Sequence, residues 1–134
     1  LLERISNILN NKIKNKKICF LGVTFKANTD DMRESSSLKM IPYLSKKGAK
    51  IKYYDPTGYK KEFNKINNVT YCSTIKNACE DADLILIHTE WNDFKSLNFK
   101  SLSKKKSFIV YDLRNIFSKE KIKKEKIKYF GVGR

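Results

Sequence analysis

Apolar residues recur along this chain with two different periods, and each change of period marks a new element. Ile5, Ile8, Leu9 and Ile13 follow helical spacing, which predicts an amphipathic helix over residues 2–13, frayed at Asn10-Asn11. Lys17 to Leu21 reads as a buried strand ending at Gly22, followed by a polar, charged loop from Val23 to Glu34. Ser35 to Ser37 offer caps for a helix whose apolar face is Leu38, Ile41, Tyr43 and Leu44; Pro42 within it predicts a kink or a first turn, and Gly48 an end. Further strands are predicted at Ala49–Tyr54, Val69–Cys72, Leu84–His88 and Phe108–Tyr111, with a last edge strand at Ile127–Phe130. Short helices are expected at Ile75–Cys79 and Ser118–Glu125, and residues 57–68 read as a polar loop.

Unbroken apolar strands alternating with helices imply an α/β domain. Its mostly parallel sheet should be flanked by helices on both faces, in three layers, with right-handed crossovers. Ligands of such sheets bind beyond the carboxyl ends of the strands, at a topological switch point. That rule selects Gly22 to Arg33, Asp55-Pro56, Thr89 to Phe94 and Asp112 to Asn115, where polar and charged residues are dense.

Composition narrows the class. The 134 residues fit one domain, and 40% hydrophobic with 12% aromatic residues suffice for a core. No apolar run reaches the roughly eighteen residues of a membrane span. The start, Leu1-Leu2-Glu3-Arg4, lacks a signal-peptide pattern and an initiator Met, so a domain cut from a longer chain is expected. The net charge of +15 admits a polyanionic partner. The lysines are scattered over Lys12–Lys17, Lys46–Lys52, Lys104–Lys106 and Lys119–Lys128 without a basic-aromatic platform, so they read as solvated surface and no nucleic-acid partner is expected. Cys19, Cys72 and Cys79 have no metal-ligand spacing, and their odd number suggests reduced thiols in the cytoplasm.

Three segments carry candidate chemistry. The loop after the first strand has one glycine, Gly22, and no G-x-G-x-x-G fingerprint. Phe25 offers a wall for a sugar or base, Lys26 a cation for a phosphate, and Arg33 a bidentate donor. Asp30 and Asp31 are placed to cap the next helix or to hold Arg33. The plain alternative is a surface loop with internal ion pairs. In Thr89-Glu90-Trp91-Asn92-Asp93-Phe94, Trp91 and Phe94 are expected to pack the base of the loop, and the lone His88 reads as a buried strand-end histidine rather than a catalytic base. Finally, Asp112 and Arg114 arrive at the same end of the sheet as Lys26; two cations there suit a diphosphate, and an Asp112–Arg114 structural pair is the alternative.

These motifs together resemble the C-terminal domain of the UDP-glucose/GDP-mannose dehydrogenase family, from about Lys17 to Arg134. LGVTFKANTDDMRES, KGAKIKYYDP, EDADLILIHTEW with NDF, VYDLRN and IKYFGVGR stand in family order. TEW-x-x-F, D-x-R-N and the terminal G-x-G-R look most like the UDP-glucose 6-dehydrogenase branch; GDP-mannose and UDP-N-acetylmannosamine dehydrogenases are the near alternatives. The resemblance implies a Rossmann-like domain over residues 17–134 that binds UDP-glucose or a related nucleotide sugar. Residues 1–16 would be the end of a linking helix from a central region. It also implies an NAD-dependent oxidoreductase whose NAD site and catalytic cysteine lie upstream, assembled as a homodimer or larger homo-oligomer. Phe25, Lys26 and Arg114 match substrate-contacting positions, and Arg33 matches an arginine that reaches NAD. Leu113 stands where the family usually has glycine.

Overall fold

The computed structural model describes residues 1–133. Its elements, in order, are α1 (Leu2–Ile8), β1 (Lys17–Leu21), α2 (Ser37–Lys46), β2 (Lys50–Tyr54), β3 (Val69–Tyr71), α3 (Ile75–Cys79), β4 (Leu84–Ile87), α4 (Phe99–Leu102), β5 (Ile109–Asp112), α5 (Lys119–Glu125) and β6 (Lys128–Gly131). Single 3-10 turns at Lys61–Phe63 and Asn92–Phe94 complete the set.

The six strands form one sheet in the order β3-β2-β1-β4-β5-β6, and every neighbouring pair is parallel. Alternation along the strands sends residues to two cores. Ile18, Phe20, Ile51, Tyr53, Leu84, Leu86 and Tyr111 meet Ile5 of α1 and Met40, Ile41 and Leu44 of α2 on one face. Cys19, Leu21, Ile85, Ile87 and Val110 meet Ala78 of α3, Phe99 of α4 and Ile122 of α5 on the other. With both faces covered, β4 is buried at all four positions, which is why LILI carries no polar residue. Each such side chain contributes about 1.5–3 kcal/mol.

The register aligns the strand ends. Leu21 lies beside Tyr54 and Ile87, Ile87 beside Asp112, and Asp112 beside Gly131. The chain leaves β1, β4 and β5 at one level, so the loops that follow share one edge. β1 and β4 are neighbours whose following helices cover opposite faces, and this is the switch point.

The six strands lie within one residue of expectation, and the Ile75–Cys79 helix coincides with it. Several expectations need correction. The first helix stops at Ile8 rather than residue 13, because Asn10 and Asn11 adopt φ of 54° and 60°; Ile13 is still buried, from the loop. Pro42 is the sixth residue of α2 and not in its first turn. Ser36 is the N-cap of α2 but makes no side-chain cap bond, because its hydroxyl is used elsewhere. α4, capped by the Asn98 side chain, had no expected counterpart. Residues 57–68 are not wholly a polar loop: Phe63 is buried and its ring meets Tyr53 edge-on at 5.3 Å.

Gly22 takes φ +79° at the end of β1, and a Cβ built there would lie 2.6 Å from Thr89 Cβ. Gly22→Ala is expected to lower stability by about 2–4 kcal/mol, combining the left-handed backbone with an overlap that has no room to relax. Urea denaturation measures it; a loss under 1 kcal/mol would show that the two loops separate easily.

Candidate functional site

The turn after β1 is tied down by its own backbone. Gly22 N–H donates to Tyr54 O at 2.8 Å and Val23 N–H to Asp55 Oδ2 at 2.8 Å. Asp55, buried, also accepts from Thr57 N and Oγ1 through its other oxygen, so the Asp55-Pro56 corner braces the first loop. The Val23 carbonyl accepts from both Ser35 Oγ and Ser37 Oγ at 2.6 Å. Phe25 N–H donates to Asp31 O at 2.9 Å, closing residues 25–31 into a lobe.

β4 supplies the hub. Thr89 Oγ1 donates to Thr24 O at 3.0 Å, and His88 Nδ1 lies 3.0 Å from the same hydroxyl oxygen. His88 Nε2 lies 2.9 Å from Ser36 Oγ. Arg114, beyond β5, reaches back over the end of β4: its Nε donates to His88 O at 3.0 Å and its terminal nitrogen to Phe25 O at 3.3 Å. One guanidinium therefore links the loops after β1, β4 and β5 while its side chain stays exposed. Asp112 is buried and holds the Arg114 turn, accepting from Arg114 N, Phe117 N and Tyr129 Oη.

Phe25 is 43% exposed at the lobe and Lys26 is exposed beside it. The Phe25 backbone and Arg114 are in contact, so the structure brings those two residues together. Arg33 is set apart: its side chain is 89% exposed, and Asp31 grips it through Nε at 3.0 Å and Nη2 at 3.1 Å. That pairing holds the Asp31 carboxyl below the usual carboxylate range. Arg114 meets Asp112 only through its backbone N–H, so the alternative of a side-chain ion pair between them does not form. Leu113 is half-buried and packs against the core without positive φ, so a Cβ is accommodated there. Trp91 and Phe94 are buried, as expected of the base of the loop. Sequence reasoning missed Ser36, Thr24 and Thr89, since single hydroxyls carry no pattern until the loops converge.

Burial first, then the Arg114 charge, lowers the His88 pKa from its ordinary value to about 4, so the imidazole is neutral near pH 7. Cys19 and Cys79 are buried with sulfurs 3.8 Å apart, and burial pushes the Cys19 thiol well above its ordinary value. No group of three His, Cys, Asp or Glu among the described residues could hold a metal ion. No helix among them is long and apolar enough to cross a membrane. A hollow of about 290 Å³, lined by Lys17, Lys50, Lys52 and Asp81, lies at the opposite end of β1 and β2 and shares no residue with these loops.

A parallel sheet in this order, with cationic, hydrogen-bonded loops at its switch point, defines the class of doubly wound α/β domains. Residues 19–119 match the model of the UDP-glucose/GDP-mannose dehydrogenase family, UDP binding domain, and the chain belongs to that family. It is 36% identical to the UDP-glucose 6-dehydrogenase of Rickettsia felis over 99% of its length, which is 30% of that relative. It superposes on a UDP-glucose dehydrogenase from Pyrobaculum islandicum with TM-score 0.75 and 26% identity, covering 98% of this chain and 28% of that one. A UDP-D-ManNAc dehydrogenase from Pyrococcus horikoshii superposes with TM-score 0.74 and 28% identity, over 100% and 29%. The chain thus spans under a third of the length of each of these three proteins.

The buried neutral histidine makes stability depend on pH. Its folded pKa of about 4 lies below its unfolded value, so the unfolded chain binds the proton first and stability falls as pH drops from about 6.5 toward 4. Between pH 7.5 and 5 the expected loss is about 2 kcal/mol. Asp31, Asp81 and Asp83, whose pKa values are lowered, add their losses only below the ordinary carboxylate range. Denaturation midpoints against pH measure this, and His88→Gln should flatten the curve above pH 5; an unchanged slope would refute the assignment.

Proposed function

We propose that this chain is the nucleotide-sugar-binding C-terminal part of a UDP-glucose 6-dehydrogenase, with residues 17–134 as the binding domain and 1–16 as the end of a linking helix. The full-length enzyme would oxidise UDP-glucose to UDP-glucuronate with NAD, working as a homo-oligomer in the cytoplasm. The observation that carries the reading is the guanidinium of Arg114. It is fixed by two backbone carbonyls over the end of β4, beside the exposed Phe25 and Lys26. A cation held at a switch point by neutral acceptors keeps its charge for an anionic ligand. In this reading Lys26 and Arg114 neutralise the diphosphate and Phe25 lines the sugar or base.

The residues described here do not make an NAD cradle of their own. Gly22 is the only glycine between β1 and α2, Thr89 fills the space beside it, and the hydroxyls at the start of α2 turn back on Val23 O and His88. NAD would therefore be held chiefly by upstream residues, with the exposed Arg33 reaching toward it from the domain boundary. The chain contributes substrate binding, and the chemical step falls outside it.

The likeness to the Pyrococcus horikoshii enzyme favours a second reading, the same domain acting on UDP-N-acetylmannosamine; the same domain of a GDP-mannose dehydrogenase is a further alternative. Calorimetric titration with UDP, UDP-glucose, UDP-N-acetylmannosamine, GDP-mannose and NAD separates these. UDP and UDP-glucose should bind most tightly, and Lys26→Ala in the full-length enzyme should raise KM for the nucleotide sugar about tenfold, the effect of losing one charge-assisted contact. Unchanged kinetics in Lys26→Ala would refute a ligand role for Lys26, and tighter binding of GDP-mannose would overturn the UDP reading.

A further inference from the structure

We infer that His88 is a positioning residue for the nucleotide-sugar crevice: as the neutral Nδ1–H tautomer it clamps Ser36, at the start of α2, to the end of β4, and so sets the Phe25–Lys26 lobe against Arg114. This rests on the reading of that crevice given above.

The tautomer follows from donors and acceptors. The Thr89 hydroxyl has one hydrogen, and it goes to Thr24 O, which can only accept. Thr89 Oγ1 then accepts from His88 Nδ1–H, and the Gly22 backbone also hydrogen-bonds to the imidazole. The imidazole is neutral, which leaves Nε2 bare. Nε2 accepts from Ser36 Oγ–H. All three bonds point one way, from Ser36 through His88 and Thr89 to the Thr24 carbonyl.

Two features set this chain of bonds apart from ordinary core packing. Ser36 is the N-cap residue of α2, yet its hydroxyl makes no cap bond and turns to a residue 52 positions away, while Ser35 Oγ accepts from Ser37 N–H at 3.3 Å. A departure from local preference of this kind marks a constraint imposed from elsewhere. Secondly, the chain of bonds meets the candidate site at two points, its Thr24 end and the backbone of His88 in its middle. Thr24 is next to Phe25, and the His88 carbonyl carries Arg114 Nε. Arg114 is the charged group that bears on His88, and the Phe20 ring lies 6.0 Å away beneath it. No carboxylate hydrogen-bonds to the imidazole among the described residues, so His88 acts through its neighbours and not as a base.

The two ring nitrogens can be tested apart in the full-length enzyme. His88→Gln keeps an acceptor at the Nε2 position and so keeps Ser36. His88→Asn keeps a donor at the Nδ1 position and loses Ser36. Ser36→Ala removes the same bond from an exposed residue, where folding is not at risk. Expected are a KM for the nucleotide sugar raised about fivefold in Ser36→Ala and in His88→Asn, the effect of one lost hydrogen bond, with kcat within twofold. The double variant should be no worse than either single one, because both remove one interaction. His88→Gln should stay within twofold of the parent. Unchanged KM in Ser36→Ala and His88→Asn, while Lys26→Ala and Arg114→Ala raise it, would overturn the clamp and leave the crevice reading standing. Equal losses in Gln and Asn variants would reduce His88 to a packing role and also overturn the clamp. Unchanged KM in Lys26→Ala and Arg114→Ala would remove the crevice reading and the clamp with it.

Discussion

The close approach of Gly22 to Thr89 is the constraint on which the site depends. β1 and β4 are adjacent and end level, so the chain leaving one must pass the chain leaving the other. There is no room for a side chain at Gly22, and a backbone at φ +79° turns Val23 and Thr24 across the end of β4. Thr24 O then meets Thr89 Oγ1, and the Val23 carbonyl meets the hydroxyls of Ser35 and Ser37. A larger residue at Gly22 would hold the loops apart, and the hydrogen bonds above them would have no partners.

Arg114 and Asp112 show how a buried group and an exposed one divide the work at this edge. The Asp112 carboxylate lies inside the protein and is satisfied by three donors, as burial of a charge requires. It shapes the turn without neutralising the arginine side chain. The guanidinium is braced by carbonyl oxygens, which orient it and leave its charge uncompensated by a carboxylate. Arg33 is the contrasting case, since a carboxylate already occupies its fork. An exposed pair of this kind contributes little to stability. Its effect is to set where the Arg33 head stands at the rim.

Much of the architecture was legible because sheet burial leaves a strong mark on sequence. LILI and KICFL read as strands since both of their faces are covered, and the Asn and Gly stops are local chemistry. The helix ending at Ile8 was overestimated for a related reason. Ile13 sits in helical phase and is buried, but it reaches the core from the loop after two left-handed asparagines. Periodicity reports which residues are buried and is silent on the path of the backbone between them. The motifs at Lys26, Arg33 and Arg114 were legible as charges at strand ends. What each charge would meet was not: Asp112, two residues away, was only one candidate partner for Arg114, and in the fold the arginine side chain meets residues 26 and 89 positions away.

The amino-acid sequence by itself determined the class of fold, the edge of the sheet where the candidate site residues gather and the family to which the domain belongs. These follow from local periodicity and from motifs, whose information is contained in a few neighbouring residues. Tertiary structure alone decided that Ser36 serves His88 instead of its own helix. It also decided that Thr89 fills the space beside Gly22, and that Arg114 rests on carbonyls rather than on a carboxylate. Each of these depends on a separation of a few ångströms between residues distant in sequence. Such a separation is set by strand order, register and loop closure together.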